Sequence, residues 1–272
     1  MNKKLFNIKE INSYFSKGYV IKKNFFSFKE CEFINKTLEE LPPKVFVPYS
    51  NNVPWGYGNL IDNKKINSIY PLEKLFEDIK PLINYENLTC NHIMAVNKAA
   101  FIGPDVEWHQ EFFNINTYAP GYSSESDLKN FIQIFIALDK HTLKNGPLIV
   151  FEGSHNEGLL EHEDIINMNI GHKRRLTYSS LLKISKDRKQ IQLLLEPGDA
   201  VFFNHLIVHG SPTNTSPDRR RALLYQIRND CKNKDSKIYE DEVNYRSKFI
   251  VNKCKTIVEK LLKKNPYIEF KK

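Results

Sequence analysis

Residues 196–223 read EPGDAVFFNHLIVHGSPTNTSPDRRRAL, and this stretch is the most informative part of the chain about its fold. A tight turn at Pro197-Gly198-Asp199 leads into an apolar run that has the composition of a buried strand. The run ends at His209, and Arg220 follows eleven residues later. A β-turn and a return strand would bring Arg220 back beside His209. The stretch therefore predicts two neighbouring strands that carry an imidazole and a guanidinium.

Arg220 has the chemistry of a carboxylate anchor. A guanidinium binds a carboxylate through two parallel hydrogen bonds, which a lysine ammonium does less well. Ser211, two residues after His209, lies on the same strand face and offers a hydroxyl. The alternative is that 219–221 is a solvated run of arginines. Strand alternation turns adjacent residues to opposite faces, which favours Arg220 as the anchor.

A second group of polar residues, Trp108-His109-Gln110-Glu111, precedes His209 by about 100 residues. In a strand or at its exit, residues i and i+2 point to the same side, so His109 and Glu111 can aim at one point. Two imidazoles and one carboxylate on one face of a metal form the facial triad of non-haem Fe(II) oxygenases. His-x-Glu is a weak pattern on its own, and its interpretation depends on His209 and Arg220.

The rest of the chain predicts a mainly β domain with flanking helices. Helical patterns occur at 7–16, after Ser27 and at 71–83, whereas 44–70 lacks clear periodicity and is expected to be a long loop. Short β-rich runs separated by turn signals begin at Leu88 and predict a sandwich or barrel. These runs are LTCNHIMAVNKAAF, NFIQIFIALD, PLIVFEG, IQLLLEPG, AVFFNHLIVHG and ALLYQIRN.

We expect one domain, because no flexible linker and no internal repeat interrupt the chain. Its predicted parts are a helical and strand segment at 1–87, a β core at about 88–230 and a C-terminal helical extension at 231–272.

The ordered set of motifs resembles the phytanoyl-CoA dioxygenase family. The matching segments are WHQE (108–111), NGPLIVFEGSH (145–155), PGDAVFFNHLIVHGS (197–211) and RRA (220–222). Together the likeness covers roughly residues 8–230. It implies a double-stranded β-helix core, also called a jelly-roll or cupin-like fold, and a dioxygenase that uses Fe(II) and 2-oxoglutarate.

Residue by residue, the resemblance implies that His109, Glu111 and His209 are iron ligands and that Arg220 and Ser211 contact 2-oxoglutarate. The family usually has Asp where this chain has Glu111. Glu is one methylene longer, so the ligand must bend or the iron must shift. A carboxylate here argues against the halogenating relatives, which carry a small residue at this position.

Three more positions are implied as cofactor contacts by the same resemblance. The Met94 position of the family lines the cofactor pocket, and Asn97 is an alternative that would supply a polar contact. Phe135 matches an aromatic position beside the cofactor, and Gln133 shares its strand face. For Met94 and Phe135, an ordinary role in the barrel core is the competing interpretation.

The remaining histidines are assigned structural or surface places. His155 in the Gly-Ser-His turn is expected to be structural. His92 and His205 lie on predicted strands, where a place in the core or at the surface is favoured over one that faces the pocket. Those expected to be solvated are His141, His162 and His172.

The predicted reaction is hydroxylation of an unactivated C–H bond in a small metabolite or natural-product intermediate, consuming O2 and releasing succinate and CO2. Candidate substrate contacts are Trp55 and Tyr57 in the predicted loop, Lys98 and Gln133. Lys98 and the cluster at 173–175 fit an anionic substrate. Two alternatives stay open: an inactive jelly-roll binding protein, against which the full ligand set argues, and a cupin-like metal enzyme without 2-oxoglutarate, against which Arg220 argues.

Composition excludes several other classes. The 272 residues include 40 Lys and Arg against 32 Asp and Glu, a net charge of +8, without the aromatic-interleaved basic stripe of a nucleic-acid binder. No apolar run is long enough for a membrane span, and the N-terminus lacks a secretory signal, so we expect a cytoplasmic protein. The four cysteines form no Cys-x-x-Cys pair and are expected to be free thiols. Oligomeric state is left open.

Overall fold

The computed structural model describes residues 4–42, 46–48, 54–58, 60–83, 88–111, 131–165 and 174–229. The predicted helical extension at 231–272 lies outside these residues, as do His172, Cys231 and Cys254. Cys31 and Cys90 are free thiols.

Two capped helices open the chain, as the sequence predicts. Helix α1 (Ile8–Lys17) begins with a capping box between Asn7 and Glu10, and α2 (Phe28–Glu39) begins with one between Ser27 and Glu30. Strand β1 (Tyr19–Lys22) lies between them.

Gly18 ends α1 with φ of +84°, and a Cβ there would lie 2.6 Å from Nδ1 of His155. The Nε2 atom of His155 lies 3.1 Å from the carbonyl oxygen of Phe15. His155 therefore packs against the end of α1, which agrees with its expected structural role.

The segment 44–70 is not simply a loop. It contains strands β2 (Phe46–Pro48) and β3 (Pro54–Tyr57) and the short helix α3 (Lys64–Asn67), and α4 (Leu72–Ile83) follows. Strand β3 pairs with β4 (Leu88–Lys98) and adds the hairpin to the edge of a sheet. Edge strands this short carry too few residues for the alternation of polar and apolar residues to be recognised.

Eight strands in two antiparallel sheets form the core. Besides β4 they are β5 (Val106–His109), β6 (Phe131–Ala137), β7 (Leu148–Phe151), β10 (Gln190–Leu193), β11 (Ala200–Asn204), β12 (His209–Ser211) and β13 (Arg220–Asn229). A small sheet of β8 (His162–Asp164) and β9 (Arg174–Leu176), and helix α5 (Tyr178–Asp187), lie between β7 and β10.

The large sheet has the order β1-β11-β6-β13-β4-β3-β2, and the small core sheet has the order β10-β7-β12-β5. With one exception, at β7 and β10, successive core strands belong to opposite sheets. The chain thus winds as a pair of antiparallel strands around a common interior. This is the double-stranded β-helix, and the predicted fold class is confirmed.

The apolar run that begins at Ala200 is two strands instead of the single predicted strand. Strand β11 ends at Asn204 in the large sheet, and β12 begins at His209 in the small sheet. The four residues between them, 205–208, are all buried, so no change of polarity marks the corner in the sequence.

The two faces of the large sheet pack differently. Its outer face meets the helices through side chains such as Ile93, Ile134 and Leu223, which share one core cluster with Ile34 and Leu75. Its inner face meets the small core sheet, and the side chains of this second cluster include Phe135, Leu148, Val150, Val201 and Ala222. Side-chain alternation along β4, β6 and β13 therefore decides which residues reach the interior.

Within the described ranges, no helix combines the length and the apolar character that a membrane span requires.

Candidate metal centre

His109 and His209 lie side by side on neighbouring strands of the small core sheet. Strands β5 and β12 pair in a register that places the two residues opposite one another, and their ring centroids are 4.1 Å apart. Both side chains are buried. Strand pairing thus joins two imidazoles that are 100 residues apart in the chain.

Backbone carbonyls orient both rings. Nδ1 of His109 lies 2.7 Å from the carbonyl oxygen of Glu107, and Nδ1 of His209 lies 2.9 Å from that of Ile207. Nδ1 of each neutral ring then carries the proton and donates it to the carbonyl. Nε2 of each ring is left with a lone pair, the arrangement that metal-binding histidines adopt.

Glu111 completes a three-residue cluster. Its Oε1 atom lies 3.4 Å from Nε2 of His109 and 3.5 Å from Nε2 of His209. The three ligand atoms all lie within 4.8 Å of one another, and the three residues are buried. The backbone N–H of Glu111 donates to the carbonyl oxygen of His205 at 3.1 Å, which fixes the chain at the exit of β5. Two nitrogens and one carboxylate oxygen on one side of a common point are the donors of a facial triad.

The electrostatics of the cluster favour the states that bind a cation. Burial alone would raise the pKa of Glu111, but hydrogen bonds and charge from His109 and His209, when these rings are protonated, outweigh it and hold the pKa well below its usual value. A metal ion in place of those ring protons would act in the same direction. Burial and the neighbouring His209 lower the pKa of His109. A carboxylate beside a neutral imidazole is the form in which both groups coordinate metals.

Gln226 touches the cluster from the large sheet and was not predicted. Its Nε2 donates to Oε2 of Glu111 at 3.2 Å. Gln226 lies on the inner face of β13, six residues after Arg220. Alternation counted from Arg220 would have identified it, since every second residue of β13 shares that face.

Arg220 is a buried cation at the start of β13. It shares the inner face with Ala222, and its Cζ lies 5.7 Å from the centroid of the Phe135 ring. The described residues give it no ion pair, and its Nε has no hydrogen-bond partner there. Burial lowers the pKa of Arg220 to about 9, although Asp139 acts in the opposite direction.

The neighbouring arginines point elsewhere. Arg221 lies on the outer face, where its Nε donates to Oδ2 of Asp139 at 2.9 Å. Arg219 is half-exposed and pairs with Glu39. The three arginines therefore have three different surroundings, and Arg220 alone of them faces the interior.

Lys98 has no free donor for a substrate. Its ammonium donates to the carbonyl oxygens of Pro104 at 2.6 Å, Ser211 at 3.2 Å and Pro212 at 2.5 Å. An ammonium has three N–H donors, and all three are used. The predicted substrate role is therefore replaced by a structural one, in which Lys98 holds the backbone around Ser211. Ser211 itself is buried at the end of β12.

The residues of β4 and β6 divide between the two faces. Met94 lies on the inner face, half-buried and opposite Leu224, and Phe135 and Gln133 lie on the inner face of β6. Asn97 lies on the outer face with Ile93, and its Nδ2 donates to the carbonyl oxygen of Pro54 at 2.8 Å. Asn97 therefore points away from the pocket, which removes it as the alternative to Met94.

Tyr57 lies on the outer face of the large sheet. It pairs with Ala95 in the sheet register and is buried in the cluster that packs against the helices. The prediction for Tyr57 rested on its being in a loop, and the hairpin that it forms instead turns it outward. Trp55 is the extra residue at the register shift between β2 and β3 and is half-buried.

Several histidines are more buried than predicted. His141 and His162 are buried, in contrast to the expected solvated positions. Nε2 of His162 accepts from the backbone N–H of Gln110 at 3.2 Å, which supports the chain between His109 at the end of β5 and Glu111.

His205 is buried against the Phe131 ring, with centroids 5.0 Å apart. Neither ring nitrogen has a partner among the described residues. Burial lowers the pKa of His205 to about 4.

The family model of phytanoyl-CoA dioxygenase, PhyH, matches residues 14–222 of the chain. The peroxisomal phytanoyl-CoA dioxygenase of Bos taurus is 28% identical over 137 residues, which are 50% of this chain and 38% of that protein. A probable alpha-ketoglutarate-dependent hypophosphite dioxygenase of Stutzerimonas stutzeri is 26% identical over 226 residues, covering 78% of this chain and 74% of that one. The matched region spans less than half the length of the mammalian relatives.

Solved structures share the fold. EctD from S. alaskensis with 2-oxoglutarate and 5-hydroxyectoine aligns with a TM-score of 0.67 at 17% identity, covering 84% of this chain and 78% of that chain. EvdO2 from Micromonospora carbonacea aligns with a TM-score of 0.63 at 16% identity, covering 82% of this chain and 91% of that chain. The double-stranded β-helix, the buried His-Glu-His cluster and the extent of the family match lead to one conclusion. The chain belongs to the phytanoyl-CoA dioxygenase family.

Proposed function

We propose that this protein is an Fe(II)- and 2-oxoglutarate-dependent dioxygenase that hydroxylates a small polar metabolite and releases succinate and CO2. One observation carries the proposal. A buried His-Glu-His cluster and a buried guanidinium without a carboxylate partner among the described residues open onto the same barrel interior. The first fits a divalent metal and the second fits the free carboxylate of a diacid.

His109 and His209 would hold iron through Nε2, and Glu111 would hold it through Oε1. When bound, the iron supplies the oxygen chemistry that amino-acid side chains cannot perform. The protein fixes the geometry: the carbonyl of Glu107 orients one ring, that of Ile207 orients the other, and burial excludes bulk water. Rigid positioning of this kind is what a protein contributes to such a site.

Arg220 would bind the distal carboxylate of 2-oxoglutarate, with Ser211 adding a hydroxyl contact. Pairing with a carboxylate relieves the cost of burying an unpaired guanidinium. The Phe135 ring lies beside the guanidinium, and Met94 is half-exposed on the same inner face, so both would flank the carbon chain of the ligand. Lys98 would act indirectly, by holding the carbonyls of Ser211 and Pro212.

Buried polar groups support a substrate that forms hydrogen bonds. Oε1 of Gln133 and both ring nitrogens of His205 are buried without partners among the described residues. A buried polar atom without a partner costs about 1–3 kcal/mol, which a bound ligand can recover. The net charge of +8 favours an anionic substrate. The likeness to a protein named as a hypophosphite dioxygenase agrees with a small anion.

Anaerobic titration tests the proposal. Fe(II) and 2-oxoglutarate are added without oxygen to the protein and to His209→Ala, and the visible charge-transfer absorbance is recorded. We expect the band in the unaltered protein and its loss in the variant, followed by succinate release only from the unaltered protein when oxygen is admitted. Equal succinate formation by His209→Ala would rule out the metal assignment.

The same titration separates the alternatives. Binding of metal without any effect of 2-oxoglutarate would favour a cupin-like metal enzyme. Binding of neither would favour a jelly-roll protein without catalysis.

A further inference from the structure

The two carboxylate oxygens of Glu111 have different partners. Oε1 faces Nε2 of His109 and Nε2 of His209, whereas Oε2 accepts a hydrogen bond from Nε2 of Gln226 at 3.2 Å. Glu111 is 7% exposed, so water competes little for either oxygen. The carboxylate thus has a contact at each of its two oxygens.

Gln226 is fixed by the strand that carries it. It lies in the middle of β13, directly opposite Gln133 on β6 and His92 on β4. The imidazoles, by contrast, belong to the small core sheet. The contact from Gln226 to Glu111 therefore crosses the barrel interior and sets the carboxylate relative to both sheets.

We propose that Gln226 is a positioning residue for the metal centre and that it adapts the site to glutamate at position 111. The inference rests on the proposed metal centre. A glutamate has one more rotatable bond than the aspartate usual in the family, so its carboxylate can adopt more orientations. The hydrogen bond to Oε2 favours the orientation in which Oε1 faces the imidazoles.

The pairing is specific to the longer side chain. An aspartate at 111 would withdraw the carboxylate by about one C–C bond, roughly 1.5 Å. Added to a contact of 3.2 Å, that displacement exceeds the range of a hydrogen bond. Glu111 and Gln226 should therefore act as a coupled pair, whereas Gln226 should be indifferent to the metal when residue 111 is Asp.

A double-mutant cycle on metal affinity tests this coupling. The dissociation constant of Mn(II) is measured by electron paramagnetic resonance, without 2-oxoglutarate and without oxygen. The proteins compared are the unaltered chain, Gln226→Met, Glu111→Asp and the double variant. We expect about tenfold weaker binding in Gln226→Met, the usual effect of losing a residue that orients a ligand. We expect no further loss when Gln226→Met is added to Glu111→Asp.

Gln192→Met is the matched control, because it removes an amide from an exposed position of β10 in the small core sheet; its Mn(II) dissociation constant should be unchanged. Circular dichroism of the metal-free variants checks folding, and Gln226→Leu provides a second apolar replacement. An unchanged dissociation constant in Gln226→Met, or an equal loss in both backgrounds, would overturn the coupling. Equal Mn(II) binding by the unaltered protein and His209→Ala would overturn the metal centre itself.

Discussion

Arg220 is a residue whose surroundings do not neutralise its charge. It is 2% exposed and has no ion pair in the described parts of the chain, whereas Arg221 next to it binds Asp139. Burying an unpaired charge costs several kcal/mol. The local sequence offers no structural gain that offsets this cost, which supports a ligand as the missing partner.

Replacing Arg220 by Met should separate stability from binding. The thermal unfolding midpoint of the metal-free protein should not fall, because an unpaired buried charge is removed. The affinity for 2-oxoglutarate should fall about 100-fold, since losing one partner of a buried charged pair costs about 2–5 kcal/mol. Differential scanning calorimetry of the metal-free protein measures the unfolding midpoint. Titration calorimetry of the Mn(II)-loaded protein measures the affinity for 2-oxoglutarate.

Arg219→Met is the control for this change, because Arg219 is half-exposed and pairs only with Glu39 in the described residues. Arg219→Met should alter neither the thermal unfolding midpoint nor the affinity for 2-oxoglutarate. An unchanged affinity of Arg220→Met for 2-oxoglutarate would contradict the role of Arg220 as the carboxylate anchor.

At the scale of elements, Lys98 links three segments. It ends β4, and its ammonium binds carbonyls both before β5 and after β12. Close packing surrounds it: a Cβ on Gly146, where φ is +77°, would lie 2.8 Å from Cδ of Lys98. The lysine therefore fixes the turn that carries Ser211.

Lys98→Met should lower the free energy of unfolding by about 2 kcal/mol, because carbonyls that accept from the ammonium lose their donor and each such loss costs about 1–3 kcal/mol. Removal of a buried cation offsets part of that cost. Urea unfolding measures the change. Lys29→Met on the exposed side of α2 should leave stability within about 0.5 kcal/mol. Equal stability of the two variants would contradict the linking role.

Sequence patterns predicted the positions of helices and strands better than they predicted the sheet face on which each side chain lies. Capping boxes marked α1 and α2, and apolar runs marked most of the core strands, because both signals are local. The corner between β11 and β12 was missed, since apolar residues continue through it. Asn97 was assigned to the pocket by resemblance to the family, and Tyr57 was assigned to it because 44–70 was expected to be a loop. Their faces depend on the register of β4 with its neighbours, which is a property of the fold.

Counting along the strands would have given the faces of two residues. Alternation from Arg220 places Gln226 on the inner face, and alternation from Met94 excludes Asn97 from that face. The metal-ligand hypothesis for His109, Glu111 and His209 could be made because their types and order are distinctive. The hydrogen bond from Gln226 to Oε2 could not be predicted, because alternation gives the face of a residue and not the side chain that it contacts.

At the scale of the whole molecule, the proposed site is divided between the two sheets. The small core sheet supplies both imidazoles, and the large sheet supplies Arg220 and Gln226. Ligands bound between them would connect the two layers of the barrel. Ligand binding should therefore stabilise the domain as a unit.

Mn(II) should raise the thermal unfolding midpoint, and 2-oxoglutarate should raise it further only when Mn(II) is present. A ligand at 100 times its dissociation constant contributes about 2.7 kcal/mol to the folded state. Fluorescence-monitored melting measures the shifts, and a chelator should reverse them. The same stabilisation of His209→Ala, or by 2-oxoglutarate alone, would contradict the shared site.

The inner wall of the barrel changes character along β4 and β13. At one end Lys98 and Arg220 are almost fully buried, whereas Met94 and Leu224, further along the same pair of strands, are only half-buried. At Leu224, a change of side chain therefore costs little packing, whereas any change at Lys98 or Arg220 disturbs a nearly fully buried group.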